Sequence, residues 1–142
     1  MLTRITIAAL ALCAVATPAH ASDVTVQFGL SAGTYAPTGA ACTLSVPAGA
    51  DGIAVLDAAV AAHCIASYRT TSFPFGTFVS CINEVCGQDT GVAEAGTFAG
   101  AYWNMYDNGT SAGYGVDGFT ADAGDELAFA YQTYCFGSLC LV

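Results

Sequence analysis

The alternation of apolar and polar residues predicts two strands early in the chain. Every second residue is apolar over residues 24–30, and residues 42–46 repeat this pattern before Pro47. Strict alternation over about four to eight residues is typical of a strand that buries one face. Residues 31–41 between the two strands are rich in Gly, Ala and Thr, and we predict a loop there.

A helix is predicted directly after the second strand. Asp51 is a suitable N-cap residue for a helix that starts near Gly52. One apolar stripe with helical spacing follows, formed by Ile53, Leu56, Val60 and Cys64. Cys42 lies on the apolar face of the preceding strand, and a helix packed on that face would bring Cys64 close to it. We therefore predict a disulfide between Cys42 and Cys64.

The second half of the chain contains further strand patterns. Three strands are predicted, over residues 78–83, 102–106 and 126–131. Asn108 and Gly109 are a strong signal for a hairpin turn. Residues 66–77 are aromatic and turn-prone and receive no assignment, and residues 87–100 are predicted to be small and flexible. The order β-β-α-β-β-β predicts an α+β fold with one helix packed on a mixed sheet of about five strands.

The first 21 residues are interpreted as a signal peptide. Arg4 precedes a nearly continuous apolar run over residues 5–15, and Ala19, His20 and Ala21 form the small-x-small pattern that signal peptidase cleaves. The run is shorter than the about 20 residues that span a membrane. We expect residues 22–142 to form one domain without a membrane span, secreted or held in a periplasm.

The charge of the chain restricts its partners. The sequence has 2 basic and 11 acidic residues, and Arg69 is the only base outside the predicted signal peptide. The domain of residues 22–142 would therefore carry a formal charge of −10. Nucleic acids and anionic membranes are bound through Lys and Arg, so we exclude both as partners. Solubility is the simplest interpretation of the excess of acidic residues.

Six cysteines remain after the predicted cleavage, and an even number in an exported chain predicts three disulfides. They are Cys42, Cys64, Cys81, Cys86, Cys135 and Cys140. Cys135 and Cys140 are expected to clamp the C-terminal tail, although the spacing alone leaves the full connectivity open. The C-x4-C spacing fits neither the usual zinc ligand pattern nor the C-x-x-C pattern of thiol oxidoreductases. We therefore predict no metal site at these cysteines.

No set of residues that would support catalysis can be assembled from the sequence. His63 is the only histidine after the predicted cleavage site, and no nucleophile with a partnered base is evident. We expect His63 to lie at the surface or to be satisfied within the fold, and Asp125 to cap main-chain amides in its turn. We predict that the protein is not an enzyme and requires no cofactor.

Four segments resemble one known family and occur in the family's order. They are VPAGADGIAVLDA at 46–58, FVSCIN at 78–83, YWNMYDNG at 102–109 and AGDELAFAY at 123–131. Together they resemble the transcobalamin-like C-terminal domain, over about residues 24–134. The resemblance implies a β-grasp-like fold and a binding function. In the vitamin B12 carriers of animals this domain forms one half of the cobalamin clamp, and bacteria have it in secreted proteins.

The resemblance makes cobalamin or another corrinoid a candidate ligand. The carriers use a large helical domain as the opposite wall, which this chain is expected to lack, so a homo-oligomer or a partner protein would have to supply that wall. Aromatic side chains suit a planar, apolar ligand. The candidates are Tyr68, Phe73, Phe75, Trp103, Tyr106 and Tyr114, although core packing is the favoured alternative for Trp103. The competing hypothesis is a structural or adhesive cell-surface module without a small ligand.

Overall fold

A computed structural model describes residues 20–30, 41–92 and 98–136. These residues form nine strands, one α-helix and one 3₁₀ turn at Val116–Gly118. The elements are β1 (Ala21–Leu30), β2 (Ala41–Pro47), α1 (Gly52–Ala61), β3 (Tyr68–Phe73), β4 (Gly76–Ile82), β5 (Val85–Cys86), β6 (Gln88–Val92), β7 (Phe98–Asp107), β8 (Thr110–Ser111) and β9 (Glu126–Phe136). Most of the predicted signal peptide, the 31–40 part of the predicted loop, Cys140 and the side chain of Cys135 lie outside the described residues.

The strands form one large mixed sheet and one small sheet. The large sheet has the order β2-β1-β9-β7-β6, and β8 pairs with the end of β7. The first and last strands, β1 and β9, are parallel neighbours, whereas the other pairs are antiparallel. The small sheet has the order β3-β4-β5. The prediction of an α+β, β-grasp-like fold with one helix on a mixed sheet and with disulfides is confirmed.

The core lies between one face of the large sheet, helix α1 and the small sheet. Val24 and Val26 of β1 and Phe129 of β9 are fully buried there, together with Leu56 of the helix. Phe28 stacks on Phe129 with 5.6 Å between the ring centroids. Alternate residues of β1 and β2 supply this buried face, as the sequence pattern predicts, whereas Ala128 and Ala130 of β9 are buried with Tyr106 in a second, smaller cluster. In the described part of the chain, no helix is both long and apolar enough to cross a membrane.

The helix begins as predicted but ends earlier. The Asp51 carboxylate accepts a hydrogen bond from the Ala54 main-chain N–H at 2.9 Å, which caps the first turn. At the other end His63 is left-handed, with φ of 59°, and the N–H groups of His63 and Cys64 bond back to Val60 and Ala59. These two bonds form a Schellman motif, which stops the helix before Cys64.

Two disulfides connect the described elements. Cys42 of β2 is bonded to Cys64 in the turn after α1, with 6.3 Å between the Cα atoms, so the predicted pairing is confirmed even though Cys64 lies beyond the helix. Cys81 is bonded to Cys86 across the β4–β5 hairpin. Both bonds connect segments that are already neighbours in the fold, and they stabilise it mainly by restricting the unfolded chain.

Strands occur in two segments where the sequence predicted none. β3 lies within residues 66–77, and β6 and the start of β7 lie within residues 87–100, so this second segment contains strand residues that the sequence did not predict. A Cβ atom on Gly100 would collide with the main chain of Gln88 and the ring of Tyr134. The absence of a side chain at Gly100 therefore permits close packing of β6, β7 and β9 there.

Candidate functional site

The tip of the β3–β4 hairpin carries the most exposed aromatic cluster of the described residues. Phe73 is 49% exposed and Phe75 is 73% exposed. Their rings stack almost in parallel, with 5.3 Å between the centroids and an angle of 10°. Phe78 contacts both of them, at 6.0 and 5.6 Å. We refer to Phe73, Phe75 and Phe78 as the aromatic tip.

The aromatic tip is attached firmly to the body of the protein. The Ser72 and Thr77 hydroxyls share a hydrogen bond of 3.0 Å across the hairpin. The Thr77 main-chain N–H donates to the Asp117 carboxylate at 2.8 Å, which connects the tip to the 3₁₀ turn. A Cβ atom on Gly115 would collide with the main chain of Thr77, so only glycine permits this close approach. These contacts hold the main chain of the hairpin tip against the body of the protein.

A cleft of about 210 Å³ lies beside the aromatic tip. It lies between β4, residues 102–105 of β7 and residues 112–116, and we refer to it as the β7 cleft. Its apolar walls include Phe78, Val79, Met105, Ala112 and Val116. Because Phe78 belongs to both features, the cleft and the aromatic tip form one continuous surface.

Tyr114 forms a wall of the β7 cleft and is held by a carboxylate. Its hydroxyl donates to Asp107 Oδ2 at 2.5 Å, and the ring is partly exposed. This hydrogen bond, with a further contribution from burial, raises the pKa of Tyr114 to about 12. The phenol is neutral at physiological pH, as an unshifted tyrosine also would be, so the ring presents an uncharged wall.

The other three candidate aromatic residues lie apart from the aromatic tip. The Trp103 side chain is buried in the core, donates from Nε1 to the Val85 carbonyl at 2.8 Å and packs 5.2 Å from the Tyr131 ring. Tyr106 is buried with Ala128 and Ala130 in a separate cluster, and its hydroxyl accepts a hydrogen bond from Gln132. Tyr68 lies at the far end of β3, where its hydroxyl donates to Asp57 at 2.6 Å.

The structure thus brings only part of the predicted set together. Phe73 and Phe75 form the aromatic tip, and Tyr114 and Trp103 border the adjacent cleft. Phe78 was not among the sequence candidates because it lies in a predicted strand, where an aromatic residue is usually assigned to the core. The signal that indicates the aromatic tip is the close spacing of three phenylalanines around Pro74 and Gly76.

The described residues offer little for ionic or metal binding. Their only basic side chain, Arg69, pairs with Glu84 at 3.5 Å, and both side chains are well exposed. Surface pairs of this kind contribute little to stability. Within the described ranges, no group of three or more His, Cys, Asp or Glu side chains could hold a metal ion. His63 is exposed, and Asp125 accepts a hydrogen bond from the Asp122 N–H, as predicted.

Comparisons with known proteins show the fold. No protein-family model matches the sequence, and no curated protein matches it either. The structure is similar to that of haptocorrin in complex with Cbi, with a TM-score of 0.64 and 15% sequence identity. This match covers 83% of the chain and 26% of the haptocorrin chain, so the protein spans about a quarter of that length. A protein from Ruminococcus gnavus ATCC 29149, described as a "putative metal binding protein", matches with a TM-score of 0.48 and 12% identity, over 78% of this chain and 95% of that chain.

Proposed function

We propose that the protein is an exported, non-catalytic binding module whose ligand surface consists of the aromatic tip and the β7 cleft. The observation that carries this proposal is the stacked pair Phe73–Phe75, which is largely exposed although both side chains are apolar. Exposed apolar patches on a soluble protein usually mark a binding surface. The attachment of the hairpin to Asp117 supports a preformed surface, which reduces the entropy lost on binding.

The geometry favours a flat, largely apolar ligand. The two parallel rings offer a planar contact, and large aromatic side chains bury much area on contact. The fold is shared with about a quarter of the chain of haptocorrin, which was solved in complex with Cbi, a cobalamin analogue, and this supports a corrinoid as the first ligand to test. The resemblance of the sequence to the transcobalamin-like C-terminal domain points to the same class.

A partner is needed to complete the site for a ligand of that size. Pockets that enclose drug-sized molecules have volumes of about 300–1,000 Å³, whereas the β7 cleft has about 210 Å³. A corrinoid would therefore be covered on one side and open on the other. A second copy of the chain or another protein would supply the opposite wall.

The proposed location is outside the cytosol. The disulfides Cys42–Cys64 and Cys81–Cys86 support an oxidising compartment. Residues 1–21 would serve as the signal peptide and residues 22–142 as the single domain, with Cys135 and Cys140 forming a third disulfide. N-terminal sequencing of exported protein should give Ser22 as the first residue, and non-reducing peptide mapping should give the third bond.

The ligand proposal is tested by absorbance titration with dicyanocobinamide and cyanocobalamin. Saturable spectral shifts are expected, and the double variant Phe73→Ala/Phe75→Ala should bind about tenfold or more weakly because it loses the stacked surface. Thr71→Ala is the matched control, since Thr71 is exposed on the same hairpin and pairs with Phe78. The absence of a shift with both compounds at high micromolar concentration would exclude a corrinoid, and wild-type affinity of the double variant would exclude the aromatic tip.

A structural or adhesive surface module is the second candidate function. The small volume of the β7 cleft favours it, because a protruding apolar hairpin beside a shallow cleft also suits contact with a protein. In that case neither corrinoid would bind, and the double variant would lose attachment to purified surface proteins of the host while Thr71→Ala would keep it.

A further inference from the structure

We infer that the β7 cleft recognises a neutral carboxamide group, which pairs with the main-chain N–H and C=O of Trp103. The inference rests on the proposed function, because it names the chemical group of the ligand that enters the same surface. It assigns to Trp103 a role that its buried side chain does not suggest.

The edge of β7 that borders the cleft has a stretch without a neighbouring strand in the described part of the chain. β6 pairs with β7 at Ala101 and before it, and β8 pairs with β7 from Tyr106 onward. Between them, residues 102–105 have a strand neighbour only on the other side, where β9 lies. These four residues also line the β7 cleft.

The direction of the main-chain groups follows from one hydrogen bond. The Ala112 N–H donates to the Met105 carbonyl at 2.9 Å, so the polar groups of Met105 are directed to the cleft side of β7. Residues two positions apart in a strand direct their main-chain groups to the same side. The N–H and C=O of Trp103 therefore face the cleft, and the described residues provide no main-chain partner for them.

A carboxamide is the group that complements this pair. A donor and an acceptor lie side by side on Trp103, and a carboxamide offers an acceptor and a donor in the same arrangement as a neighbouring strand would. A carboxylate offers only acceptors and would leave the Trp103 carbonyl unpaired, which costs binding free energy in a partly desolvated site. A ketone also leaves that carbonyl unpaired.

Charge and volume restrict the ligand further. Two carboxylates belong to neighbours of wall residues, because Asp107 is bonded to Tyr114 and Asp117 directly follows Val116, although neither lines the cleft itself. They would repel an anion. The apolar walls and the volume of about 210 Å³ suit a single ring or a short aliphatic arm next to the amide. The expected ligand class is therefore a neutral carboxamide attached to an apolar body.

The test compares three probes that share one ring and differ in one polar group: benzamide, benzoate and acetophenone. ¹H–¹⁵N correlation spectra of the full-length exported protein would record the main-chain amide signal of Trp103. Benzamide should shift this signal in a saturable way, and acetophenone and benzoate should bind about tenfold more weakly. Ala112→Leu, which fills the cleft, should abolish the benzamide shift. Thr71→Ala should retain it.

The outcomes separate this inference from the proposed function. If benzoate binds as tightly as benzamide, or if the Trp103 amide does not shift, the inference is overturned. If Ala112→Leu does not fold, Tyr114→Ala, which removes an exposed wall of the cleft, should weaken benzamide binding instead, and unchanged binding would overturn the inference. Corrinoid binding without benzamide binding would refute the carboxamide site alone, whereas benzamide binding without any effect of Phe73→Ala/Phe75→Ala on corrinoids would refute the aromatic tip alone.

Discussion

Removal of the Cys42–Cys64 disulfide tests how the fold is stabilised. The double variant Cys42→Ala/Cys64→Ala opens a loop with a sequence separation of 22. The chain-entropy relation gives about 3 kcal/mol for a loop of this length, because the open chain gains freedom in the unfolded state. Both side chains also pack partly buried against the core, so their truncation adds to the loss. Urea denaturation, followed by fluorescence of the single tryptophan, would measure the change in the free energy of unfolding.

The second disulfide provides the matched control for this experiment. Cys81→Ala/Cys86→Ala opens a loop with a separation of only 5, for which the same relation gives about 2 kcal/mol. Cys81 is buried as well, so truncation of the side chains weakens both variants. The loop-entropy difference should then leave the Cys42–Cys64 variant about 1 kcal/mol less stable than the control, with a correspondingly lower urea midpoint. An equal or smaller loss for the Cys42–Cys64 variant would contradict the reasoning from loop entropy.

Three further predictions address local features of the fold. His63→Gly should raise the free energy of unfolding by up to about 1 kcal/mol, since His63 has a φ of 59° that glycine adopts without strain, whereas His63→Ala should not; thermal melts would show the difference. Asn108→Gly retains the turn, which has a φ of 48°, but loses the hydrogen bonds to Asp125 and from the Glu126 N–H, so it should cost about 1–2 kcal/mol in urea denaturation. Burial and the hydrogen bond to Asp57 raise the pKa of Tyr68 from 10.0 to about 12, so its contribution to stability is complete below pH 10 and is lost as the pH rises through about 12. Absorbance titration at 295 nm of the wild type and of Tyr68→Phe would measure this, because the difference between the two curves is the titration of Tyr68. A difference curve centred near pH 10 would contradict the prediction.

Periodicity in the sequence predicted most elements of the large sheet. β1 and β2 bury one face each, and this alternation is visible in Val24, Val26, Leu44 and Val46, whereas residues 127–130 of the central strand β9 are buried on both faces. The N-cap Asp51 was likewise predictable, because its carboxylate acts on an amide three residues away. Such features depend on local chemistry or on a single buried face, and both can be recognised from the order of neighbouring residues in the sequence.

Features that depend on distant residues were less accessible. β3 is exposed over most of its length, so its Thr and Ser residues show no apolar alternation, and the strand is formed by its pairing with β4. The end of the helix at His63 depends on main-chain hydrogen bonds, and the sequence has no glycine at this position that would have predicted it. The β7 cleft exists only because β6 and β8 stop short of each other along β7, and no local pattern encodes that gap.

The position of the last strand has a consequence for how the protein reaches its folded state. β9 lies at the centre of the large sheet, between the first strand and β7, so the sheet cannot be completed until residues 126–136 are present. Synthesis from the N-terminus would leave the β1–β2 hairpin and β7 without their common neighbour until residues 126–136 have been made. Pairing across such long sequence separations slows folding. A chain that passes through a membrane unfolded before it folds would benefit from this delay.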